Sequence, residues 1–243
     1  MEKLLIVLGI SIFIISCGDK KRQSEEIEQD VAGDTLVYRY VKKNTLISKK
    51  LPEIEIKLAD DFKYVGTFAF EIIANSEEYP KDMLGKPIAE GDRYVFASVE
   101  KDQHVEKLFV VQLEGFLAEN DLIFNYNFDS AEYIGENKYR HNTWFYDSQK
   151  LAKENPGNEG AKTRAFLKEK GFELEDAYMM SRFVGLASED RKNEIILFYI
   201  EMLKKETGYS LEAYKNSVSK TAKDSIENAF VTRSRNSFRI IKG

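Results

Sequence analysis

Hydrophobic residues recur at every second position through much of the first two thirds of the chain. EIEIKL, from Glu53 to Leu58, places Ile54, Ile56 and Leu58 on alternate positions. Successive side chains of a strand point to opposite faces, so this spacing predicts a strand with one apolar side. Asp60 and Asp61 then form a turn signal. Beyond it, FKYVGTFAFEII predicts a long strand carrying Phe62, Tyr64, Phe68, Phe70 and Ile72 on a single face. RYVFASVE, VEKLFVVQLE and LIFNYNF continue the strand pattern, separated by KDQH and GFLAEND, which have the length of hairpin connections. TLVYRYV near Leu36 and KYRHNTWFY near Trp144 are further strand candidates, and the stretch from Asn75 to Asp92, with Pro80 and Pro87, reads as a loop. Leu108 and Val110 alternate with the equally apolar Phe109 and Val111, which predicts strands buried on both faces.

Past Asp147 the period lengthens. DSQKLAKENPG predicts a short helix stopped by Pro156 and Gly157, and NEGAKTRAFLKEKG a second one ending at Gly171. SEDRKNEIILFYIEMLKKETG carries the signals of a third helix. Ser188 stands as N-cap, Glu189 and Asp190 lie in the first turn, Lys204 and Lys205 in the last, and Gly208 follows. Ser210 then caps a predicted long helix with Leu211, Tyr214 and Val218 facing inward, and SFRIIKG supplies a last strand. Strands followed by helices predict an α+β domain: an antiparallel sheet of about five to seven strands with C-terminal helices packed on one face. A lipocalin-like closed barrel with trailing helices is the alternative.

The start of the chain has a different character. Leu4 to Ile15 is almost wholly apolar behind Met1, Glu2 and Lys3, and it is shorter than the about 20 residues that cross a bilayer. That is the form of a secretory signal. The run ends Ile14-Ile15-Ser16-Cys17, which resembles the lipobox of bacterial lipoproteins. The resemblance implies cleavage after Ser16 and a lipid joined through a thioether to Cys17, the only cysteine of the 243 residues. Two chains anchor stably where one does not, so a cysteine carrying two acyl groups, palmitate for example, holds a soluble domain at a bilayer unaided. The organisation expected is a signal peptide over residues 1–16, an acylated start and tether over 17–34, and a single α+β domain over 35–243. The tether, GDKKRQSEEIEQDVAGD, has no aromatic residue and is mostly charged. As a flexible chain it spans on the order of 20 Å. The expected location is the bacterial cell envelope, facing the periplasm, in the outer membrane in preference to the inner.

With one cysteine there is no intramolecular disulfide, no thiolate zinc site and no cysteine catalysis. The 43% hydrophobic and 12% aromatic content is enough for packing alone to hold a core. The net charge of −5 hides an asymmetry, because Lys215, Lys220, Lys223, Arg233, Arg235, Arg239 and Lys242 face only Asp224 and Glu227 in the last segment. Such a tail suits either an anionic surface or a helix lying across an acidic body. No nucleic-acid motif accompanies it, and none is expected outside the cytoplasm. No Walker, G-x-S-x-G, G-x-G-x-x-G or H-E-x-x-H pattern occurs, and no cofactor is implied. Asn125, Asn127, Asp129 and Glu136 sit at calcium-loop spacing, but Ser130 occupies the place that needs glycine. Spaced asparagines on the outer side of a strand explain them better.

The densest chemistry lies in KYRHNTWFYDSQ. Arg140, His141, Trp144, Tyr146 and Asp147 would stack a ring and hydrogen-bond its edge, or else fill the core beneath the helices. The expectation is a lipid-anchored domain that binds or scaffolds, with the bilayer and an envelope protein as partners. A carrier of an apolar ligand between sheet and helices is one alternative, with the Phe62, Tyr64, Phe68, Phe70 face as its wall. A carboxylate-dependent hydrolase near His141 and Asp147 is the other.

Overall fold

The strands gather into two antiparallel sheets rather than one. The computed structural model describes residues 38–242; the leader, Cys17 and the tether lie outside them. The small sheet has the order β1-β2-β3-β11, formed by Arg39–Lys42, Thr45–Lys49, Glu53–Leu58 and Phe238–Lys242. The large sheet comprises β4 (Lys63–Ile73), β5 (Pro87–Val99), β6 (Val105–Phe116), β7 (Glu132–Ile134), β8 (Asn137–Asp147), β9 (Ala177–Leu186) and β10 (Asn193–Met202). Its order is β4-β5-β6-β10-β9-β8-β7, every neighbour antiparallel. The sheet therefore ends in β4 and β7 and is not a closed barrel. The helices are α1 (Ser148–Glu154), α2 (Glu159–Glu169), α3 (Leu203–Thr207), α4 (Leu211–Ser217) and α5 (Lys220–Asn236). The fold class is α+β.

Each face of the large sheet has its own core. On one, Phe96, Phe109, Phe183, Leu197 and Tyr199 pack against Leu46, Ile54 and Ile56 of the small sheet and against Tyr214 of α4 and Phe230 of α5. On the other, Val95, Leu108, Val110, Ile196 and Phe198 pack beneath α2 through Phe166 and Leu167. Helices thus cover both faces, not one, which follows from the apolar character of both sides of β6 and β10.

Three sequence expectations are corrected here. The stretch opened by Ser188 is not a helix: its Ile195–Met202 segment forms most of β10, the central strand of the large sheet. A continuous run of Ile, Leu, Phe and Tyr satisfies a doubly buried strand as well as a helix stripe, and β-branched and aromatic residues favour the strand. Ser188 closes the β9–β10 turn instead, with its hydroxyl donating to Asp190 and accepting from Asn193 N at 3.1 Å. LIFNYNF forms no strand and pairs with none; Arg191 holds it by donating to the carbonyls of Phe124 (2.9 Å) and Tyr126 (3.0 Å). The helix begun at Ser210 breaks at Val218, whose extended backbone gives way to a second cap at Ser219.

The aromatic face of β4 is also divided. The pairing with β5 slips between Tyr64 and Gly66, so a bulge inserts one residue and reverses the facing of everything beyond it. Phe62 and Tyr64 pack toward Phe109 and Phe96, whereas Phe68 meets Phe166 of α2 on the opposite side. The basic last segment lies across acidic groups, with Arg233 on Glu201 and Glu206, Arg235 on Glu132 and Lys242 on Glu53.

Candidate functional site

A cavity of about 570 Å³ lies between the large sheet and the α1–α2 pair. Strand alternation builds its floor, since every second residue of β6, β10, β9 and β8 points this way. Leu108, Val110, Ile196, Phe198, Ile200 and Met180 make the apolar part, and Leu167 of α2 makes the roof. α2 is held over the sheet at two points. Arg93 reaches up from β5, donating to Thr163 Oγ1 (2.6 Å) and to the Glu159 carbonyl (2.9 Å), while its other side donates to Gln112 Oε1 (2.5 Å). Arg164 reaches down from α2 to the Tyr178 hydroxyl (2.8 Å) and the Glu175 carbonyl (2.7 Å). Burial pushes Arg93 down to about 10, with Glu159 and Glu114 opposing, and it stays charged at neutral pH. Its guanidinium lies 5.0 Å from the centre of the Phe198 ring.

At one end the apolar floor gives way to two carboxyls. Glu114 of β6 and Glu194 of β10 are directly opposite each other in the register, and both are buried. Like charges so placed repel. Burial first, and then Glu114, raises Glu194 far above the ordinary carboxylate range, with the Tyr126 hydroxyl and Arg182 opposing, so Glu194 keeps its proton at neutral pH. Gln112 Nε2 donates to Glu114. Tyr126, from the segment that Arg191 fixes, and Arg182 of β9 complete this end. Glu194 is 1% exposed, yet its Oε2 is buried without a hydrogen-bond partner. A second, wider cleft of about 800 Å³ runs by Arg39, Glu90, Asp92 and Gly115. Its walls are mainly polar, and the Arg39–Asp92 ion pair (3.2 Å) forms part of them.

β8 separates the five residues read as one site. Trp144 and Tyr146 line the cavity, and Arg140, on the same face, lies 5.2 Å from the centre of the Tyr126 ring. His141 faces the other core and stacks on Phe183 at 4.3 Å. Asp147 ends the strand and caps α1, accepting from Lys150 N at 2.7 Å. Six residues of strand, about 20 Å, separate His141 from Asp147, so the two do not converge.

His141 does meet a carboxylate and a serine. Its Nδ1 lies 3.2 Å from Glu132 Oε1 and its Nε2 2.5 Å from Ser181 Oγ. The proton order runs the wrong way for a nucleophile. Ser181 donates to Ser234 Oγ (3.1 Å), which donates to the Val231 carbonyl (2.8 Å), leaving His141 Nε2 as the donor to Ser181. Burial lowers His141 below its ordinary 6.5, Glu132 opposing, so the ring is neutral and its Nδ1 has no proton for Glu132 Oε1, which is without a hydrogen bond. Ser181 is wholly buried. This is a structural relay, not a catalytic triad.

Sequence reasoning missed Arg93, Glu114, Arg182 and Glu194. Single charged residues in otherwise apolar strands were the available signal, because such residues sit at strand ends or on a polar face unless something inside needs them. Among the described residues, no group of three or more His, Cys, Asp or Glu could hold a metal ion, and no helix is long and apolar enough to cross a membrane. Compared with protein-family models, with curated proteins and with solved structures, the chain matches none.

Proposed function

We propose that the protein is a lipid-anchored envelope lipoprotein whose domain binds a small, largely apolar molecule between its large sheet and α1–α2. One observation carries the binding reading: about 570 Å³ of space, walled by Leu108, Val110, Ile196 and Phe198, between the large sheet and α1–α2. That volume is in the range of small-molecule sites, which are mainly apolar with a few convergent polar groups. The wall is not the aromatic face read from β4, which the bulge divides. Support for the anchor is the Ile14-Ile15-Ser16-Cys17 sequence and the charged tether behind it.

Filling the space tests the reading. Overpacking a filled core costs about 1–3 kcal/mol, so Val110→Phe should leave the melting temperature nearly unchanged only if room exists. It should also abolish the fluorescence gain of an apolar dye such as N-phenylnaphthylamine on the wild-type domain. No gain with wild type, or a variant that binds the dye undiminished, overturns the cavity as the site.

A further inference from the structure

The polar end of the cavity narrows the ligand's chemistry, an inference that rests on the binding reading above. Three observations meet there. Glu194 Oε2 is a buried polar atom with no hydrogen-bond partner of its own, on a side chain 1% exposed that lines the cavity, although the Tyr126 hydroxyl acts on the same carboxyl. An unpaired buried polar atom is costly, and in native domains a partner normally accounts for it. Arg93 and Arg182 stand in the same walls, and the Arg182 charge acts on both Glu194 and Arg93. A cationic ligand placed at Glu194 would face those guanidinium groups. Glu114 and Glu194 stand directly opposite each other, so an anionic ligand would add a third acidic group beside two buried ones.

We propose that the cavity selects an uncharged apolar molecule bearing one hydroxyl group, and that Glu194 Oε2 accepts the hydrogen bond from it. A hydroxyl supplies the missing donor without introducing charge, and its own lone pairs suit the guanidinium donors nearby. The apolar body would lie over Val110, Ile196 and Phe198, with the hydroxyl at the carboxyl end.

Trp144 is the single tryptophan of the chain and lines the cavity, so its emission reports occupancy without a label. The probes are adamantanol, its methyl ether, adamantylamine and adamantane carboxylate, which share a body and differ in donor and charge. Titrated at neutral pH, adamantanol should bind about tenfold more tightly than the ether, the scale of one buried hydrogen bond, and more tightly than either ion. Glu194→Leu should erase the alcohol's advantage over the ether, and Glu194→Gln, which keeps a carbonyl acceptor, should retain it. Equal binding of alcohol and ether, or tighter binding of the amine or carboxylate, overturns the hydroxyl assignment and leaves the cavity as a site. Silence of Trp144 with all four probes overturns the binding reading itself. The wild-type series decides the matter even where a Glu194 variant does not fold.

Discussion

Glu194 shows how one residue can couple the site to stability. Its folded-state affinity for a proton is raised above that of an unfolded glutamate, ordinarily 4.5. Its contribution is therefore complete below that pH and is lost as pH climbs toward the folded value. Glutamine cannot ionise, so Glu194→Gln should gain melting temperature relative to wild type progressively from about pH 5 upward. Parallel pH profiles for the two proteins, followed by circular dichroism, would show that Glu194 gives up its proton without consequence. Arg93 differs in kind: its charge persists, and its neutral partners on β6 and α2 fix the distance between α2 and β5. His141 drew notice in the sequence as a candidate binding and catalytic side chain, yet its partners make it a fixture of the core on the face away from the cavity.

At the scale of elements, the legible parts were those with one strong period or one strong cap. β3 announces itself by strict alternation, and α2 by Asn158, whose side chain accepts from Ala161 N at 2.7 Å, with Gly171 beyond its end. β10 was misread because its outline, an acidic start and a lysine-rich end, imitates helix polarity; those lysines lie in α3, five residues long, directly after the strand. β9 was missed because AYMMSRFVGL mixes apolar residues on both faces with serine and arginine facing inward. The β4 bulge was invisible to periodicity, although Gly66 marks it in retrospect. Gly66 holds φ at +149° and an added Cβ would lie 2.9 Å from the Phe166 ring. Gly66→Ala should therefore lower stability by about 1–2 kcal/mol through backbone strain and contact with α2. Urea unfolding measures this, and an unchanged midpoint would mean that the bulge is not held by glycine's freedom. Of the candidate site, Trp144 and Tyr146 were readable as an aromatic cluster. The carboxyl pair was not, since Glu114 and Glu194 are 80 residues apart and only the β6–β10 register joins them.

For the whole molecule, a sheet covered on both faces divides the work. One core joins it to the small sheet and α5; the other keeps room beneath α2. Arg233 locks α5 to the first through two bonds to the fully buried Glu201, at 2.8 and 2.6 Å. The proposed anchor belongs to this scale as well. Cells grown with labelled palmitate should transfer label to the wild-type protein and not to Cys17→Ser, which should leave the membrane fraction; label retained by the variant would exclude the thioether. The margins of the large sheet matter for any chain crowded on a surface. β7 contributes only three residues at one margin, and the bulged β4 stands at the other. Short or kinked borders offer poor templates for a neighbour's backbone. Copies pressed side by side would slide past one another and would not zip into a continuous ribbon, so dense packing need not become aggregation.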